Sequence, residues 1–186
     1  EGAGGWLEAK TMDSARVRLM KLVTDADIFD RFRVLYPVNE NRSPIYVHAK
    51  IMIADENILK LGSANLNNRS MGFDTECDIA IEANDLATRA TISRIRDTLI
   101  AEHLGCAVER VSEEIKASGS LIKAVETLNQ PAGRGLIPVP IRELTAADEV
   151  FAESEFADPE RPAGVRYKTA SFLQQRFRRP TPLSLS

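Results

Sequence analysis

The sequence predicts an α/β chain in which strands carry the chemistry and helices follow them. Three observations lead there. Residues 45–54 and 58–61 are mostly apolar runs split by the polar break Asp55-Glu56-Asn57, the pattern of a β-hairpin. Residues 76–83, ECDIAIEA, alternate as a further strand does. Residues 12–29 and 86–103 carry apolar positions at helical spacing behind capping residues.

Taken in order, residues 1–10 contain three glycines and are expected to be flexible. Asp13-Ser14 offers cap chemistry for the first helix, whose apolar face would hold Val17, Met20, Leu22, Val23, Ala26 and Ile28. Val34-Leu35-Tyr36-Pro37 reads as a short strand ended by its proline, and 38–44 as a polar loop. In the hairpin, strand alternation puts Val47, Ala49, Ile51 and Ile53 on a core-facing side and His48, Lys50 and Met52 on the other. A loop over 66–75 separates the hairpin from the strand at 76–83.

Asn84-Asp85 caps the helix at 86–103, which turns Leu86, Ile92, Ile95, Leu99 and Ile100 inward and stops at Gly105. Helical stretches at 107–117 and 121–128 follow. Pro131, Gly133, Gly135, Pro138 and Pro140 then break regular structure. From 141 the chain changes character: 143–160 is acid-rich and 161–179 basic, with no sustained apolar period, which reads as a loosely packed extension. The basic end has the charge to touch anionic lipid or a partner.

The chemistry concentrates in residues 45–82. His48 and Lys50 share one strand face about 7 Å apart at 3.3 Å per residue, near enough for one phosphate to touch both. Gly62-Ser63-Ala64-Asn65 ends the neighbouring strand and brings a hydroxyl and an amide towards the same place. Histidine serves as nucleophile or acid/base, while lysine and asparagine hold non-bridging oxygens and stabilise charge in a transition state. These types suit attack on a phosphodiester with a side-chain cation in place of a metal. Arg69 either binds phosphate or pairs with an acid such as Asp74.

This spacing, His48-x-Lys50, four residues, Asp55, six residues, then Gly62-Ser63-x-Asn65, resembles the HKD signature of the phospholipase D superfamily. The continuation LNNRSMGFDTECDIAIEA looks like the bacterial phospholipase D enzymes in particular, and the resemblance covers residues 10–130. It implies an α/β/α sandwich with a mixed central sheet and the helices at 12–29 and 86–103 packed on it. Residues 1–130 would be a catalytic half-domain of a two-motif enzyme, and 131–186 an extension of uncertain structure. Catalytic roles are implied for His48, Lys50, Ser63, Asn65 and Glu76, with Glu76 orienting the histidine. Asp55, Gly62 and Arg69 would support the motif. The chemistry implied is phospholipid hydrolysis to phosphatidic acid and an alcohol through a phosphohistidine, with no cofactor and no metal.

The chain holds two histidines, His48 and His103, and a single His-x-Lys, so it supplies half of such a site. The second HKD half comes either from another copy or from a half outside this sequence. Because the motif and its flank resemble the C-terminal half of a two-motif enzyme, the latter is the expectation, and His48 is then the general acid/base. Related readings are a cardiolipin synthase-like phosphatidyl transferase, an HKD nuclease and an inert half-domain. A net charge of −3 counts against nucleic acid as substrate. Cys77 and Cys106 do not make a disulfide framework and are expected as free thiols. No apolar run approaches the roughly 20 residues a membrane helix needs, so the expected location is the cytoplasm or the membrane periphery.

Overall fold

A computed structural model describes residues 3–153, with side-chain surroundings from Lys10 to Val150 and at Ala152. The elements run α1 (Ala3–Ala26), β1 (Leu35–Val38), β2 (Lys50–Ala54), β3 (Ile58–Gly62), α2 (Asn68–Gly72), β4 (Asp78–Glu82), α3 (Leu86–Leu104), α4 (Val108–Ser118), α5 (Leu121–Leu128), β5 (Gly135–Pro138) and α6 (Ala146–Glu153). The class is α/β, as expected. All strand pairings among the described residues are antiparallel, in a three-stranded sheet β2-β3-β4 and a two-stranded sheet β1-β5.

The apolar core lies among the helices. Ala101 and Leu104 of α3, Val111 of α4 and Leu128 of α5 are buried together, and Ile100, Cys106, Val108, Ile115 and Leu136 pack around them. Good caps set the helix ends. Asp85 accepts the Thr88 amide and Ser120 that of Lys123, so orphan donors of the first turns are satisfied. Gly105 and Gly119 end α3 and α4 at φ 63° and 64°, a left-handed conformation that costs a side-chain-bearing residue roughly 1 kcal/mol or more.

Three elements appear where the sequence pointed to none: the short α2 inside the stretch read as a loop, β5 and α6. Strand β5 forms among the glycines and prolines of 131–140 because β1 supplies a partner, and Pro37 and Pro138 are tolerated in a two-stranded ladder. The Asn129 side chain fastens the ladder: it donates to Leu136 O at 2.7 Å and accepts from Leu136 N at 3.0 Å. Helix α6 packs along α1. Its Asp148, 2% exposed, takes a salt bridge from Lys10 at 2.6 Å and one from Arg142 at 2.7 Å, and Arg142 reaches on to Asp13 at 3.0 Å. The basic stretch at 161–179 lies outside the described residues.

Helix α1 starts at Ala3, inside the stretch expected to be flexible, and runs through Gly4 and Gly5. Glycine costs about 1 kcal/mol in a helix, so intrinsic propensity does not account for this start. Of its expected apolar face only Val17 and Met20 are buried; Leu22, Val23, Ala26 and Ile28 are exposed. In α3, Ile92 is buried, but Leu86 is 83% exposed and Asp97, at 4%, takes an inward position. The expectation that α1 and α3 cover the motif sheet is corrected: α1 lies on α6, and α3 packs with α4, α5 and β5.

The motif sheet is consequently open. Register puts Ile51, Leu61 and Ile79 in one row and Ile53, Leu59 and Ile81 in the next, all on one face. Leu59 is buried, but Ile51, Leu61, Ile79 and Ile81 are at least 40% exposed. The expected burial of Val47, Ala49 and Ile51 is likewise not found; all three are exposed.

Candidate active site

The hairpin positions the site. Lys50 opposes Gly62 and Gly62 opposes Asp78, so the start of β2, the end of β3 and the start of β4 meet at one end of the sheet. Asp55 is at the opposite end, in the turn, with φ 49°, and its neighbour Glu56 has φ 60°. It lies one residue past the far end of β2, whose four steps from Lys50 to Ala54 already span roughly 13 Å, too far to reach the phosphate chemistry.

His48 precedes β2, in backbone without regular pairing. Its Nε2 lies 2.9 Å from Lys50 Nζ, and Lys50 also donates to the His48 carbonyl at 2.8 Å. An ammonium only donates, so Nε2 accepts and the ring proton sits on Nδ1. The two groups therefore touch directly instead of standing 7 Å apart. Lysine's flexible stem allows this, and alternation arguments fix backbone positions only. The Tyr46 ring lies 5.9 Å from that of His48, tilted by 33°.

Ser63 is held by three bonds. Its amide donates to Cys77 O at 3.1 Å, its Oγ accepts from Cys77 N at 3.0 Å, and its Oγ donates to Glu76 Oε2 at 2.5 Å. A hydroxyl has one proton, and here Glu76 takes it, so Ser63 braces the turn and has no donor left for a ligand. The orienting contact expected between Glu76 and His48 is not made. His48 precedes β2 and Glu76 precedes β4, and β3 lies between those two strands. Arg69 pairs with Asp74 through Nε at 3.2 Å and Nη2 at 3.1 Å, the second of its two sequence readings.

A cleft of about 380 Å³ opens beside Lys50. Asn65 lines it with Lys50, Met52, Lys60, Leu66 and Met71. The structure thus brings Lys50 and Asn65 to one cavity, with His48 against Lys50, while Asp55 stands apart. Lys60 was missed by sequence reading, although its place two residues before Gly62 puts it on the face of Lys50 once the hairpin register is drawn. Among the described residues no three His, Cys, Asp or Glu side chains gather to hold a metal ion. No described helix is long and apolar enough to cross a membrane. Cys77 and Cys106 are free thiols.

Comparison with known proteins points to one family. The family profile described as Phospholipase D matches residues 28–137. A phospholipase D of Phytophthora infestans is 34% identical over 95 residues, 45% of this chain and 5% of that protein. A phospholipase D alpha 1 of Zea mays is 36% identical over 98 residues, 49% of this chain and 12% of that protein. A phospholipase D delta of Arabidopsis thaliana is 32% identical over 117 residues, 57% of this chain and 13% of that protein. The chain therefore spans a small part of these relatives' length. No solved structure matches it. With the family profile covering more than half its length and the motif strands forming the site at its centre, the chain belongs to the phospholipase D family.

Proposed function

We propose that the chain supplies one HKD half of a phosphodiesterase that hydrolyses glycerophospholipids to phosphatidic acid and an alcohol. The carrying observation is the contact of His48 Nε2 with Lys50 Nζ beside a cleft that Asn65 also lines. The names of the matched relatives support the substrate class.

A histidine of the other half attacks phosphorus and forms a phosphohistidine. The phosphorus–oxygen bond to the head group breaks, and His48, whose Nε2 takes up a proton from solvent once Lys50 leaves it, gives that proton to the departing alcohol oxygen. His48 then takes a proton from water, whose oxygen attacks phosphorus and releases phosphatidic acid and the free nucleophile. Lys50 leaves His48 for a non-bridging oxygen when the phosphate enters, which frees Nε2 for proton transfer. The Asn65 amide donates to a second oxygen, and both donors stabilise the charge that develops there. Ser63 and Glu76 hold the turn that carries Asn65. The second half lies outside this sequence in this reading, and the lipid substrate implies work at a membrane surface.

The test is turnover of head-group-labelled phospholipid by the full-length protein and its His48→Asn variant. A variant that keeps the wild-type rate would refute the reading. Products formed with an alcohol acceptor separate hydrolysis from phosphatidyl transfer, and plasmid DNA as substrate tests nuclease activity.

A further inference from the structure

Strand β3 carries a cation outside the HKD spacing. Lys60 pairs across the strands with Met52 and Ala80, so it shares the sheet face of Lys50, one diagonal step away, and lines the same cleft. Its Nζ is 3.1 Å from Asp78 Oδ2, and the two side chains are 29% and 26% exposed, so solvent screens the pair only in part. The other carboxylate oxygen, Oδ1, accepts the Ala64 amide at 3.3 Å. Ala64 is 7% exposed and sits between Ser63 and Asn65.

Gly62 makes this possible. A Cβ on Gly62 would stand 2.0 Å from Asp78 Oδ1 and 2.5 Å from Cys77 O, so any side chain there evicts the carboxylate. A lysine and an aspartate on neighbouring strands need no reason beyond cross-strand pairing. Here the second oxygen turns into the Gly62–Asn65 turn, through space that only a glycine leaves open. Three residues thus converge on one backbone amide.

We propose that Asp78 and Lys60 are positioning residues of the site. Asp78 anchors the Ala64 amide and so sets where the Asn65 carboxamide stands relative to the Lys50 ammonium. Lys60 holds the carboxylate in the direction that makes the anchor. Neither acts on phosphate itself, and the inference rests on the phosphodiester reading above.

The experiment uses the full-length protein with phospholipid in mixed micelles. It compares wild type with Asp78→Ala, Lys60→Met, Lys60→Arg and Gly62→Ala. Thermal midpoints, and hydrogen exchange of the peptide spanning 61–66 read by mass spectrometry, accompany the kinetics. Asp78→Ala, Lys60→Met and Gly62→Ala are expected to lower kcat roughly 10- to 100-fold, the scale of an ångström-sized misplacement. KM should stay within about threefold, since little ground-state binding is removed. Exchange at 61–66 should quicken, and Lys60→Arg should keep most of kcat. The midpoints of Asp78→Ala and Lys60→Met should move by only a few degrees, while Gly62→Ala, which also crowds the Cys77 carbonyl and the Asp78 backbone, should lose more. Wild-type kcat in Asp78→Ala, unchanged exchange, or Lys60→Arg doing no better than Lys60→Met would overturn the proposal. A wild-type protein that turns over no phospholipid would instead sink the functional reading, and the exchange comparison alone would then decide whether Asp78 anchors the turn.

Discussion

Arg96 of α3 reaches the hairpin turn and places its Nη1 2.5 Å from Glu56 Oε1. The same guanidinium binds Asp97 at 2.7 Å, and Ser112 Oγ of α4 donates to the other oxygen of Asp97 at 2.6 Å. A chain of polar contacts therefore runs from the motif hairpin through α3 to α4. It also explains a left-handed Glu56, since the turn conformation aims that carboxylate at Arg96.

Replacing Arg96 by methionine would leave Asp97, whose side chain is 5% exposed, without its cation. Loss of one partner from such a buried pair costs about 3 kcal/mol. Urea unfolding of Arg96→Met should show that loss, while Arg96→Lys recovers part of it. An unchanged midpoint would show that the network contributes nothing.

Asp148 gives the α1–α6 contact a pH dependence. Its carboxyl is held far below the ordinary range by hydrogen bonds from Arg142, then Lys10, then Thr145. A depressed carboxyl stabilises the fold above its unfolded value of about 4, and that contribution fades as pH falls below it. Thermal midpoints should be flat from pH 7 to about 5 and then fall. Asp148→Asn should lower the midpoint at pH 7 and flatten the acid limb; parallel curves for both proteins would contradict this.

Lys50 should matter to rate far more than to stability. Its contacts with His48 are at the surface, where a single bond contributes 1 kcal/mol or less. Lys50→Met in the full-length protein should reduce kcat/KM by roughly 10²- to 10³-fold, the effect of removing one charge-stabilising donor. The thermal midpoint should move by only a few degrees. A reduction under about tenfold would argue against a phosphate role.

Ser63→Ala should behave differently. It removes the acceptor of the Cys77 amide and the donor to Glu76 at once. Both bonds are exposed, so water replaces the lost partners and each contributes about 0.5 to 1 kcal/mol. The expected result is a lower midpoint and a modest drop in rate, with Ser63→Thr restoring much of both.

The hairpin, the cap at Asp85 and the glycine stop at 105 were legible because each depends on residues a few positions apart. Strand β5 was not, because prolines and glycines read as breakers until a partner strand is supplied from a hundred residues upstream. Helix α6 was hidden for a similar reason. Its buried group is Asp148, and a burial that depends on Arg142 and Lys10 leaves no apolar period to find. In the site, spacing put Lys50 on its strand, but His48 stands before β2 instead of on it, and Ser63 and Asn65 follow the end of β3. It did not give side-chain directions, so Glu76 faces Ser63 instead of His48, and Lys50 folds onto the imidazole.

The bare isoleucine and leucine rows of the motif sheet bear on how this polypeptide behaves when handled by itself. Among the described residues strands β2 and β4 each have a single neighbour, so two ribbons of backbone amides border a greasy plane. That combination templates edge-to-edge stacking into larger particles. Concentrated stocks of the 186-residue chain should scatter light increasingly with time, and a charged residue in place of Ile79 should slow the haze.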